Sequence, residues 1–135
     1  MRYVLDTTAF SSAMRREQEL LDLLKSHLPQ DIVTVPPVIA EIHFGIEMLD
    51  HLSRKYSLLK RELDLMLSIV ETLPWTPEAS FRFGTIKSEL EKKGTLIDDF
   101  DIAIGAIAMA HECCVITANI EHFRRIGDLT SIFWN

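Results

Sequence analysis

Apolar residues along the chain occur in two patterns: short continuous runs, and longer stretches in which they recur at helical spacing. The short runs predict β-strands. The predicted strands are Tyr3–Leu5, Ile32–Val35, Val70–Leu73, Cys114–Thr117 and a short strand within Thr130–Trp134. Because helical stretches separate these runs, the pattern predicts an α/β fold whose central parallel sheet is covered by helices on both faces.

Proline and glycine delimit the predicted helices. Pro29 ends the first, because proline cannot continue a helix, whereas Pro36 and Pro77 lie in first turns, where proline is tolerated. Gly94 ends the helix that Pro77 opens. The polar residues of Thr7–Ser11 supply capping chemistry for one more helix. The remaining predicted helices are Glu17–Leu28, the segment from Pro36 through Glu41 to Ile46, the segment from about His51 to Ile69, and Ile102–Ala110.

The composition is that of one globular domain over residues 1–135. The chain is 47% hydrophobic and 25% charged, and its length suffices for a single core. The N-terminus lacks the features of a signal peptide and no apolar run reaches the length of a membrane span, so we expect a cytoplasmic protein that does not contact a membrane. Cys113 and Cys114 are expected to be buried thiols, because neighbours on a strand point in opposite directions.

Acidic and amide side chains stand where predicted strands end or helices begin. They are Asp6 after the first strand, Glu41 in the helix after the second, Asp98, Asp99 and Asp101 at the start of the helix before the fourth, and Asn119 after the fourth. In parallel sheets, ligand sites lie beyond the carboxyl ends of the strands. Carboxylates without His or Cys partners suit Mg²⁺ or Mn²⁺, and such an ion can activate water against a phosphodiester.

The net charge limits how nucleic acid could be held. A formal charge of −6 argues against a protein that binds nucleic acid by charge alone. It does not exclude a nuclease, because a bound cation offsets the acidic residues around it.

Four segments resemble the motifs of PIN domains, in the same order and over essentially the whole chain. They are Tyr3–Thr8, Pro36–Ile42, Gly94–Ala106 and Val115–Phe123, followed by a tail from Arg124 to Trp134. The motif order and the tail most resemble VapC toxins. The resemblance implies a PIN-like three-layer fold with about five parallel strands, metal-dependent endoribonuclease activity with Mg²⁺ or Mn²⁺, homodimerisation and a VapB-like antitoxin. It implies that Asp6, Glu41 and Asp101 are metal ligands and that Asn119 completes the site.

The sequence departs from the family pattern at two positions. Thr8 stands where Asn is common, which puts one hydrogen bond of the site in question, and Gly105 stands where Ala is usual, which affects packing. Asp98 occupies a position that varies in the family and ranks as a weaker metal ligand than Asp101. Asp99 is interpreted as a helix cap.

Other polar residues have two interpretations. Thr117 either ends a strand or orients a ligand or water, and Arg124 and Arg125 either contact the RNA backbone or form a solvated turn. We interpret His43, His51 and His122 as structural rather than as general bases. The leucine-rich face over Leu52–Leu67 is expected to be mostly core, and any exposed part of it is a candidate groove for an antitoxin helix.

Three alternatives compete with the nuclease. A PIN-fold module could bind partners or repress transcription without catalysis. A receiver-like or phosphatase-like domain fits poorly, because Thr7 and Thr8 replace the second acid that each would need. DNA is an alternative substrate, although the family suggests folded RNA such as tRNA or a ribosomal RNA loop, where the backbone is accessible.

Overall fold

The computed structural model describes residues 1–134, and Asn135 lies outside the described residues. Five short strands form its centre. They are β1 (Tyr3–Leu5), β2 (Ile32–Thr34), β3 (Glu71–Thr72), β4 (Cys114–Ile116) and β5 (Ser131–Ile132). Seven α-helices flank them within residues 1–134. They are α1 (Thr7–Met14), α2 (Gln18–Lys25), α3 (Pro36–Glu47), α4 (Arg54–Ile69), α5 (Pro77–Lys92), α6 (Asp99–Ala110) and α7 (Ile120–Phe123).

The strands form one sheet in the order β3-β2-β1-β4-β5, and all four pairings are parallel. This confirms the predicted fold class and the predicted number of strands. β1 lies at the centre, where Val4 pairs with Val33 on one side and with Val115 on the other. All three valines are fully buried, as expected for strands covered on both faces.

The predicted helix Glu17–Leu28 is too long at its carboxyl end. α2 ends at Lys25, where the Ser26 hydroxyl donates to the Leu23 carbonyl oxygen at 2.6 Å and the Ser26 amide also bonds to Leu23. Leu28 is already extended, and Pro29 opens a 3₁₀ turn instead of ending the helix. The local hydrogen bonds of Ser26 therefore compete with the helix ladder.

Of two other predicted helices, one begins later than predicted and one has the predicted bounds. The helix predicted from about His51 begins at Arg54, because the Ser53 hydroxyl caps it by accepting a hydrogen bond from the Tyr56 amide at 3.1 Å. α5 begins at Pro77 and ends before Gly94, as predicted. Gly94 has a φ of +69°, a left-handed conformation that glycine adopts without strain at the end of a helix.

None of the helices in residues 1–134 is long and apolar enough to cross a membrane. Cys113 and Cys114 are buried free thiols, as predicted, and burial raises the pKa of both.

Candidate active site

Asp6 is the central acid of the site. It follows β1 directly and is the N-cap of α1, so the turn from strand to helix fixes its side chain. The carboxylate is 1% exposed. One oxygen, Oδ1, accepts hydrogen bonds from the Ala9 amide at 2.8 Å and the Thr8 hydroxyl at 2.7 Å, while Oδ2 accepts one from the Thr117 hydroxyl at 2.5 Å. Burial raises the pKa of Asp6, although these three hydrogen bonds counteract the shift.

Glu41 reaches the site from α3, which starts at the Pro36-Pro37 pair. Its Oε1 atom accepts a hydrogen bond from the Thr7 hydroxyl at 2.5 Å. Partial burial raises the pKa of Glu41, and the negative charges of nearby carboxylates, first that of Asp101, raise it further. Thr7 opposes the shift, because its hydrogen bond favours the ionised form.

Asp101 lies in the first turn of α6. Its Oδ2 atom is 2.9 Å from Nδ1 of His122, which lies on α7. Burial raises the pKa of Asp101, and the hydrogen bond and charge of His122 lower it. His122 thus contacts an acid of the cluster, and its interpretation as structural stays a prediction.

Three different elements therefore bring their carboxylates together. Asp6 comes from β1, Glu41 from α3 and Asp101 from α6, and each pair is close enough that one charge raises the other's pKa. Carboxylates that are crowded and partly dehydrated repel one another unless a cation or proton intervenes. Clusters with such perturbed pKa values are typical of functional sites.

The free oxygens of the cluster fit a hard divalent cation. Within residues 1–134, neither Oε2 of Glu41 nor Oδ1 of Asp101 accepts a hydrogen bond, so both are available as ligands. The donor set is entirely carboxylate, which favours Mg²⁺ or Mn²⁺ over zinc. In the described part of the chain, no three Asp, Glu, His or Cys side chains already stand close enough to hold one ion together. A shared ion therefore requires side-chain movement.

The helix cap expected of Asp99 is provided by Asp98. Asp98, not Asp99, is the N-cap of α6, and its Oδ1 accepts a hydrogen bond from the Phe100 amide at 2.7 Å. The prediction that Asp99 caps this helix is therefore wrong. Asp99 instead pairs with Lys87 of α5 at 3.0 Å. The charge of Asp98 still raises the pKa of Glu41 and Asp101, so its rank as a weaker ligand stays a prediction.

Thr117 and Asn119 differ in how closely they join the cluster. Thr117 is fully buried and holds Asp6, while its oxygen also accepts a hydrogen bond from the Asn119 amide at 2.8 Å. Asn119 is the N-cap residue of α7, but its side chain makes no capping bond. Its proposed role in completing the site stays a prediction.

The two threonines after β1 both hold acids of the site, including Thr8 at the position where the family commonly has Asn. Thr8 donates to Asp6 and accepts a hydrogen bond from the Ala118 amide at 2.9 Å, so it fixes the acid and the loop after β4 at once. Sequence reasoning missed the role of Thr7, which holds Glu41. Only the fold reveals this contact, because the two residues are 34 positions apart.

The remaining polar candidates lie in surface pairs. His51 Nε2 is 3.0 Å from Glu47, and His43 is 3.6 Å from the same residue. Arg124 pairs with Glu121 at 3.1 Å, and Arg125 donates to the Leu96 carbonyl oxygen at 3.3 Å. Contact of the two arginines with RNA stays a prediction.

The leucine-rich face of α4 and the preceding turn is only partly core. Leu63 is buried, whereas Leu52, Leu58 and Leu65 are exposed at 96%, 52% and 48%. Phe44 on α3 and Met48, the residue that follows α3, are exposed as well. A large exposed apolar patch is typical of a protein-binding surface.

Comparison with known proteins agrees with the fold. The PIN domain family matches residues 3–129. The chain is 30% identical to Ribonuclease VapC2 of Rickettsia felis, over 100% of this chain and 99% of that protein. It superposes on a structure of VapBC2 from Rickettsia felis bound to a promoter DNA fragment, with a TM-score of 0.88, 28% identity and full coverage of both chains. A structure of VapBC-1 from nontypeable Haemophilus influenzae gives a TM-score of 0.85 at 26% identity, covering 99% and 98% of the two chains.

Proposed function

The chain belongs to the PIN-domain family, and on that premise we propose that it is a VapC-type toxin, a metal-dependent endoribonuclease that a VapB-like antitoxin neutralises. The observation that carries this proposal is the convergence of Asp6, Glu41 and Asp101 from three elements at the carboxyl edge of the sheet. The names of its relatives support the reaction class, and the toxin–antitoxin complexes among its structural neighbours support the partner.

VapC ribonucleases of the PIN family generally depend on a divalent metal. In this chain Asp6, Glu41 and Asp101 would hold Mg²⁺ or Mn²⁺, with Asn119 completing the site and Asp98 as a weaker ligand. When bound, the ion activates a water and stabilises the departing oxygen of the phosphodiester. Four side chains orient the acids, because each donates a hydrogen bond to one of them. They are Thr7, Thr8, Thr117 and His122.

The proposal includes the partners and the setting. Residues 1–135 form one PIN-like domain that acts on cytoplasmic RNA, and a loop of tRNA or ribosomal RNA is the expected target. An antitoxin helix is expected to bind the exposed apolar residues on and next to α3 and α4, which are Phe44, Met48, Leu58 and Leu65. We also expect a homodimer.

The test is cleavage of total RNA by the purified protein, with Mg²⁺, Mn²⁺ or EDTA, compared with an Asp101→Asn variant. Discrete fragments that require the metal and disappear in the variant are expected. Asp99→Asn is the matched control. It removes a carboxylate in the same helical turn, but this carboxylate pairs with Lys87 and does not belong to the cluster. It should cleave like the wild type.

Either of two outcomes would contradict the proposal. A folded, antitoxin-free protein that leaves RNA intact with both metals would favour a PIN-fold module that acts by binding or repression. Equal loss of activity in Asp99→Asn and Asp101→Asn would show that the effect comes from the helix start and not from the cluster.

A further inference from the structure

A pocket of about 460 Å³ opens beside the acidic cluster. Its walls include Thr7 and Thr8, the same side chains that hold Glu41 and Asp6. Arg15 and Trp134 also line it. The volume lies within the usual range for sites that take small ligands. Any group in this pocket is therefore a neighbour of whatever the acids act on.

The sheet places Trp134 in this pocket. β5 runs parallel to β4, and the Thr117 amide bonds to the Ile132 carbonyl oxygen at 3.0 Å. The chain then leaves the carboxyl edge of the sheet, and Trp134 lines the same pocket as Thr8 and Ala118. The indole is half-buried and meets the ring of Phe133 edge-on, with centroids 5.4 Å apart. It is thus an aromatic surface that lines an open pocket.

Arg15 supplies a cation at the same pocket. Its guanidinium donates to the Ser11 hydroxyl at 2.6 Å and pairs with Glu17 at 2.5 Å. Both side chains of the pair are about half exposed, at 59% and 46%, and an exposed ion pair of this kind contributes little to stability. A phosphate group can therefore compete with Glu17 for the guanidinium, which binds phosphate through two parallel hydrogen bonds.

We infer that this pocket is a nucleotide subsite, in which one unstacked base of single-stranded RNA packs against Trp134 while Arg15 contacts an adjacent phosphate. An aromatic ring and a guanidinium are the two groups that single-stranded nucleic acid requires, since every base has a face that stacks and every nucleotide carries a charge. Stacking tolerates any base, so the subsite selects unpaired RNA and not a particular sequence. This inference rests on the proposed function and adds to it the residues that bind the nucleotide beside the acids.

The chain has two tryptophans, which makes a direct test possible. Trp75 follows β3 at the opposite edge of the sheet, where its indole donates to the Ser80 hydroxyl at 2.7 Å. In a Trp75→Phe protein, Trp134 is the only tryptophan, and in a Trp134→Phe protein only Trp75 remains. Each is titrated in EDTA, which prevents cleavage, with an unlabelled random-sequence RNA hexamer. We expect quenching of the Trp134 fluorescence and no change in that of Trp75.

A second arm measures affinity and cleavage. Trp134→Leu should bind the hexamer between about fivefold and a hundredfold more weakly, the range that stacking of one base supports, whereas Trp134→Phe should keep most of the affinity. Arg15→Gln should weaken binding and reduce its dependence on salt. Thermal melting of each variant separates loss of binding from loss of folding.

The outcomes separate this inference from the proposed function. Quenching of Trp134 without metal-dependent cleavage supports the subsite and overturns the nuclease. Two outcomes would overturn the subsite and leave the nuclease standing. In the first, Trp134→Leu cleaves RNA like the wild type; in the second, the hexamer binds without a change in the Trp134 fluorescence. Absence of hexamer binding by the wild-type protein at any concentration tested also overturns the subsite.

Discussion

Thr117→Val should destabilise the metal-free protein by an amount that depends on pH. Valine has the shape of threonine and suits the end of a strand, so the change removes the hydroxyl while nearly preserving the packing of a fully buried residue. The hydroxyl is 2.5 Å from Oδ2 of Asp6. Its other partner, the Asn119 amide, belongs to an exposed residue and can turn to water. The main loss is therefore one hydrogen bond to a buried carboxylate.

The sign follows from the pKa of Asp6. Burial raises that pKa above its unfolded value, so ionisation of Asp6 opposes folding, and the penalty grows as the pH rises from the unfolded pKa through the folded one. Thr117 lowers the folded pKa and reduces this penalty. Without Thr117 the folded pKa rises further, and the added cost is complete only at a pH above it.

The expected magnitude differs between acid and neutral solution. A hydrogen bond to a charged group contributes about 1.5–3 kcal/mol, and one between neutral groups about 0.5–1.5 kcal/mol. Thr117→Val should therefore lower the free energy of unfolding by roughly 0.5–1.5 kcal/mol where Asp6 is protonated and by about 1.5–3 kcal/mol where it is ionised.

Urea denaturation in EDTA over a series from pH 4 to pH 8.5 measures this cost. Thr34→Val is the matched control, because Thr34 is equally buried and donates to the neutral Leu5 carbonyl oxygen at 3.2 Å. Its cost should not change with pH. The reasoning is refuted if the costs of Thr117→Val and Thr34→Val run parallel across the series, or if an Asp6→Asn background leaves the pH dependence of Thr117→Val intact.

Three further predictions concern other residues of the site and its support. Asp98→Ala should lower the free energy of unfolding by about 1 kcal/mol because α6 loses its cap, whereas Asp98→Asn should keep the stability because asparagine also caps helices. If Asp98 is also a metal ligand, calorimetry should show weaker Mg²⁺ binding in both variants. Asp101→Asn should raise the melting temperature in EDTA at pH 8, because it removes a carboxylate that is costly to ionise where it is buried. The variant should also lack the further rise in melting temperature that Mg²⁺ gives the wild type. A lower melting temperature in EDTA would contradict this prediction. Gly105→Ala places a Cβ atom 2.7 Å from Cδ1 of buried Ile126. Overpacking should lower the free energy of unfolding by about 1–3 kcal/mol, and the better helix propensity of alanine offsets about 1 kcal/mol of that loss. In an Ile126→Val background, which lacks that methyl group, chemical denaturation should show the same change to be neutral or stabilising.

The sequence was most informative where one residue type has one physical role. The apolar side chains of β1, β2 and β4 can be buried only in a sheet that is covered on both faces. Acids at the carboxyl ends of such strands meet at one edge of the sheet. On that reasoning Asp6 and the acids near the helix starts were expected at one edge of the sheet, and the resemblance to PIN domains implied that Asp6, Glu41 and Asp101 are the ligands among them.

What could not be predicted depends on contacts between distant residues or on a choice between neighbours. Thr7 and His122 each hold an acid that lies far away in the sequence, at separations of 34 and 21 residues. Asp98 and Asp99 are identical in type, and only the backbone path into α6 decides which one caps the helix. The end of α2 was missed because the side chain of Ser26 competes with the helix ladder.

The hydrogen bond between Thr117 and Asp6 joins residues 111 positions apart, and this has a consequence for the order of events during synthesis. β1 cannot acquire its neighbour β4, nor Asp6 its partner, until residues 114–117 have left the ribosome, and β5 follows only at residues 131–132. Synthesis of a chain of this length takes on the order of ten seconds. After residues 36–69 have emerged and before residues 114–117 follow, the nascent chain can expose the apolar surface of α3 and α4 while its acidic site is still unassembled. A partner that recognises that surface can therefore meet the chain before the chain is able to cut anything.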